Sequence, residues 1–68
     1  MRKVKALLIK RAEELHVPTD GDYKDYAVDM HACVLKAINQ LDLQLEFPEG
    51  SIPDGNSCPR AFLAWLRS

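Results

Sequence analysis

The 68 residues, 47% hydrophobic and 28% charged with a net charge of −1, describe one small folded domain rather than a disordered chain. So short a chain builds a marginal core unless disulfides, a metal or a second subunit reinforce it. No apolar run approaches the ~20 residues that span a bilayer, and a pI near 6.0 speaks against a general polyanion binder.

The first helix is expected over about residues 2–17. Val4, Leu8, Ala12 and Leu15 fall in one stripe with Leu7 at its margin, and Pro18 restricts Val17 and ends the element. Arg11 projects toward the stripe, either lying over the core or reaching a carboxylate on a partner. The apolar stretch Ala6–Ile9 is too short for a secretory leader and is closed by Lys10 and Arg11. With only Cys33 and Cys58 available for pairing, this predicts a cytoplasmic protein with free thiols.

"PTDGD" then reads as a turn that opens the second helix, over about 22–42. Asp22 is the expected cap with Asp25 at the third position, and Thr19 with Asp22 is the competing frame. Tyr23, Ala27, Met30, Val34, Ala37 and Leu41 recur at 4-3-4-3-4 spacing, the seam of a helix packed along another. Tyr26, Cys33 and Ile38 widen the stripe, while Val28 and Leu35 lie off its other edge. One neighbouring helix covers only part of such a surface, so these six seam residues are assigned to a homodimer interface.

"LDLQLEF" at 41–47 alternates strictly, yet no second alternating run exists for it to pair with. Three outcomes fit: further turns of the second helix, a strand paired with its copy in another subunit, or an extended arm laid on a neighbour or open to another protein's strand. The next segment repeats the form apolar-Pro-acid-Gly at 47–50 and 52–55, with proline second and glycine fourth in each expected turn. A short third helix follows at 59–67, started by Pro59 after Cys58 or Ser57 and apolar without interruption from Ala61 to Leu66.

Candidate chemistry is sparse. His31 and Cys33 project about 160° apart on a helix and cannot share one metal ion. "DGDYKD" fails as a calcium loop because Lys24 and Asp25 occupy positions that need a ligand and a glycine. No nucleophile-base pair or phosphate loop is visible, so no enzyme activity, metal or cofactor is expected. Asp20, Asp22, Asp25 and Asp29 read as capping and a solvated face, with an anionic patch for a basic partner as the alternative.

The expected fold class is all-α: three helices in a single domain, 1–68, with a short β segment at 41–47 as a variant, assembled as a dimeric helical bundle. The expected function is a non-enzymatic protein-binding regulator, inhibitor or adaptor. Leu43, Leu45, Phe47, Phe62, Trp65 and Leu66 are the residues assigned to its protein-binding surface. The alternative is a dimeric DNA-binding transcriptional regulator using the basic first helix. Arg2, Lys3 and Lys10 share its polar face, but Glu13 and Glu14 there oppose phosphate, which makes nucleic acid the less favoured partner.

Overall fold

A computed structural model describes residues 2–68; the Arg2 side chain, counted above with the basic face, lies outside the described residues. Three helices follow one another: α1 (Arg2–Leu15), α2 (Tyr23–Leu41) and α3 (Pro59–Arg67), with no strand among the described residues. The all-α expectation holds. The first helix stops at Leu15, two residues early, and the His16 N–H closes its last turn on the Ala12 and Glu13 carbonyls at 2.9 and 3.3 Å. Pro18 keeps Val17 out of the helical region, so the chain unwinds before it.

The second helix begins as its sequence dictates. Asp22 is extended, and its carboxylate accepts the Lys24 and Asp25 N–H groups at 3.0 and 3.2 Å. Thr19 does not cap; its hydroxyl donates to Asp29 at 3.3 Å and ties the preceding turn to α2. At the other end Asp42 turns left-handed (φ 56°, ψ 49°). Its N–H reaches the Asn39 carbonyl, and the Leu43 N–H reaches that of Ile38 at 2.9 Å. This paired closure is a Schellman motif, after which Leu43 packs against the core that includes Ile38.

Residues 43–47 then form one turn, closed by the Phe47 N–H on the Leu43 carbonyl at 2.9 Å. Within the single chain the stretch is therefore neither a strand nor an extension of α2. Leu43 and Phe47, four apart, both turn toward the core, and Leu45 points away at 94% exposure. The alternation hid a helical spacing.

α1 and α3 both pack on α2. Leu8 and Ala12 from α1, five residues of α2 from Ala27 to Ile38, and Phe62 from α3 are the buried core. This corrects the assigned dimer interface: Ala27, Met30, Val34 and Ala37 are at most 1% exposed within one chain. The physical reason is that α2 has several neighbours here. Where α1 ends its coverage, α3 and the 43–58 loop return to take over. Tyr23 stays exposed and Leu41 half-buried. Each large apolar side chain so buried contributes up to about 1.5–3 kcal/mol.

The loop is set by its turns. Gly50 adopts φ 87°, and Ser51 N–H donates to the Pro48 carbonyl at 3.0 Å, so the first turn spans 48–51. Glycine thus sits third, where a positive φ is required, one position from the expected frame. Further on, the Asp54 carboxylate accepts the Asn56 N–H at 2.9 Å and the Ser57 hydroxyl at 3.0 Å. Gly55 is buried directly on α2: a Cβ there would fall on the Ala27 carbonyl and 2.7 Å from His31 Cβ. Pro59 starts α3, and Cys58 occupies its cap position with no side-chain hydrogen bond. Gly55→Ala should therefore lower stability by about 1–3 kcal/mol through overpacking, measured by urea denaturation, whereas an unchanged midpoint would mean the loop does not rest on α2 in solution.

Candidate functional site

The close approach of Gly55 to α2 leaves a cleft between the outer edge of that helix and the loop. It encloses about 620 Å³ and is walled by His31, Leu35 and Ile38 on one side and by Phe47, Pro48 and Ile52 on the other. Asn39, Gln44, Glu49 and Asp54 supply polar groups to its lining. The Gln44 amide donates to the Asn39 side chain at 3.0 Å, which joins the two walls. Leu35 is 47% exposed, so its side chain is accessible from the cleft.

Both walls are braced from inside by a run of aromatic rings. His31 meets Phe62 edge to face at 5.3 Å, Phe62 stacks on Trp65 at 6.0 Å, and Trp65 meets Phe47 edge to face at 6.2 Å. The run thus begins and ends at the cleft, passing through the core between. Such pairs contribute about 0.5–1.5 kcal/mol each beyond the area they bury. Phe47 also lines a second recess of about 380 Å³ with Val4, Lys5 and Glu46.

The residues assigned to protein binding divide accordingly. Phe47 stands in the cleft wall, Leu45 projects fully beside it, and Leu43, Trp65 and Leu66 are half-buried against the core. Phe62 is corrected to a core residue at 0% exposure, because α3 turns that face onto α2. Leu35, Ile38 and Ile52 were not singled out for binding. The signals were present: Leu35 lies off the seam of α2, and Ile52 opens the second proline-glycine unit.

Two basic residues of α1 are committed within the chain. The Lys5 ammonium lies 4.5 Å over the Trp65 ring and donates to the Trp65 carbonyl, to the Ser68 carbonyl at 3.1 Å and to its hydroxyl at 2.7 Å. Arg11 does not lie over the core but donates to Gln40 at 2.8 Å and pairs with Glu14 at 3.4 Å. Lys5 and Arg11 are thus engaged within the chain, although the Arg11 side chain stays 42% exposed. Among the described residues no three His, Cys, Asp or Glu side chains converge on a metal-sized site. Burial, and then the Asp29 carboxylate, push the Cys33 thiol above its ordinary value, away from nucleophilic use. No described helix is long and apolar enough to cross a membrane.

Compared with protein-family models, with curated proteins and with solved structures, the chain has no match in any of the three.

Asp54 anchors the loop beside the cleft. The Asn56 N–H, the Ser57 hydroxyl and the His31 ring 3.6 Å away hold its carboxyl below the usual range. A group depressed in the folded state stabilises fully above its unfolded pKa near 4 and loses that contribution as pH falls through the folded value. Proton NMR titration should show the Asn56 amide shifting with a midpoint below that of an ordinary aspartate, and Asp54→Asn should abolish the shift. An Asn56 amide that is indifferent between pH 5 and 2 would contradict the anchor.

Proposed function

We propose that this is a small non-enzymatic protein-binding regulator, inhibitor or adaptor that seats part of another protein in the cleft between α2 and the loop. One observation supports this reading above others: Leu35, Ile38, Phe47 and Ile52 line an accessible recess whose walls are held by the core. A pre-formed apolar recess with a few polar groups at its edge is the usual form of a site that recognises a side chain or short segment. Because its walls are fixed before the partner arrives, less conformational freedom is lost on binding.

Self-association belongs to the same reading, through exposed residues rather than through the seam of α2. Four of the six seam positions already serve the chain's own core. The proposed setting is the cytoplasm, where the free thiols of Cys33 and Cys58 remain reduced.

Affinity capture from native extract tests the reading. Leu35→Asp places a carboxylate in the cleft, and Leu45→Asp alters the projecting turn beside it. The fold should change by no more than about 0.5 kcal/mol at Leu45 and about 1 kcal/mol at Leu35, where aspartate is also the poorer helix former. Capture of the specific partner should fall at least about tenfold with Leu35→Asp, the size of effect expected at a hot spot. Undiminished capture by both variants, with normal melting, would overturn the assignment.

A further inference from the structure

The cleft is one-sided in charge. Between Lys36 and Arg60 the chain has no lysine or arginine, but it carries Asp42, Glu46, Glu49 and Asp54. Two of these, Glu49 and Asp54, line the cleft, and its one basic group, His31, already faces Asp54. Glu49 makes no hydrogen bond or ion pair among the described residues. An occupant that suits this lining presents an apolar side chain with cations on either side.

The same chain displays that pattern on α1. Lys3, Leu7 and Lys10 are spaced 3-7-10, within one narrow stripe at about 100° per residue. All three are exposed, Leu7 to 52%. Lys3 and Lys10 have no ion-pair partner among the described residues, while Glu14, one turn beyond, is occupied by Arg11. Leu7 borders a shallow recess with Gln40 and Leu41, on the flank of α2 away from Leu35. Gln40 and Leu35 point about 140° apart around the helix. One copy thus carries a stripe on one flank and a matching cleft on the other.

Resting on the reading of the cleft as a protein-binding site, we infer that its occupant is a second copy of this chain, with the Lys3-Leu7-Lys10 stripe of α1 seated between Leu35 and the loop. The contact is heterologous, because the two surfaces differ and lie on different flanks. Leu7 meets Leu35, Phe47 and Ile52, and the lysines meet Glu49 and the neighbouring carboxylates. Assembly proceeds head to tail.

A head-to-tail contact has a signature that a two-fold dimer lacks. Leu7→Asp destroys the stripe and leaves the cleft; Leu35→Asp destroys the cleft and leaves the stripe. By sedimentation velocity the wild-type mass should rise with concentration. Each variant alone should stay monomeric, and an equimolar mixture should form a one-to-one complex that grows no further. The charge-removing variants Lys10→Gln and Glu49→Gln, which leave the apolar contacts intact, should each weaken wild-type assembly by up to about fivefold, the range of an exposed ion pair. Assembly should also be weaker at about 0.1 M salt, where charges act over roughly 10 Å, than at about 0.01 M, where they act over roughly 30 Å.

Wild type that remains monomeric at all concentrations would overturn the inference. So would variants that assemble like wild type, or monomeric variants whose mixture forms no complex. A monomeric wild type whose capture of a different protein is lost in Leu35→Asp would sink this inference alone and leave the cleft reading standing. Loss of neither property in Leu35→Asp would sink both.

Discussion

The architecture depends on one face of α2 being shared. Ala27, Met30, Val34 and Ala37 lie along it, and the small alanines let neighbours approach closely while Met30 and Val34 fill the space between. α1 covers one part of this face, and Phe62 from a nine-residue α3 covers another. Since α3 is too short to be stable alone, its existence depends on that docking. Lys5 reinforces the arrangement by tying α1 to the carbonyls at the end of α3, where a cation also suits the helix dipole.

From this sharing follows the position of the cleft. To bring α3 back onto α2, the chain must cross its outer edge, and Gly55 makes that crossing at van der Waals distance from the helix backbone. The loop before it cannot lie equally close, because Phe47, Pro48 and Ile52 have side chains to accommodate. A gap therefore remains beside Leu35 and Ile38. The Asp54 turn and the Asn39–Gln44 bond hold the gap open at its two ends. The recess is thus a by-product of the route that completes the core, which is why its walls are firm.

Local signals made the helices legible before their packing. Pro18, Asp22 and Pro59 mark boundaries through backbone chemistry that acts over a few residues, and each element lies within two residues of its expected ends. The 4-3-4 spacing of α2 reveals that a face is covered but carries no information about whose side chains cover it. The spacing alone therefore fits a second subunit as well as the chain's own segments. At 41–47 the residues Leu43 and Phe47 satisfy a two-residue and a four-residue period together, and Asp42 decides between them by turning left-handed. The cleft was harder still. Its walls are α2 and the loop that directly follows it, and which side chains face each other depends on how that loop folds back, with its close approach at Gly55.

The aromatic run from His31 through Phe62 and Trp65 to Phe47 bears on how this molecule can diversify. In a larger protein, recognition residues stand on a scaffold whose interior they do not touch, so they can vary freely. Here two of the cleft's own wall residues are one or two rings removed from Phe62, the largest fully buried side chain. Changing His31 or Phe47 to suit a new partner disturbs Phe62 as well. Glu49, which lines the recess and takes part in neither the aromatic run nor the Asn39–Gln44 bond, is a lining residue that can change without disturbing the walls.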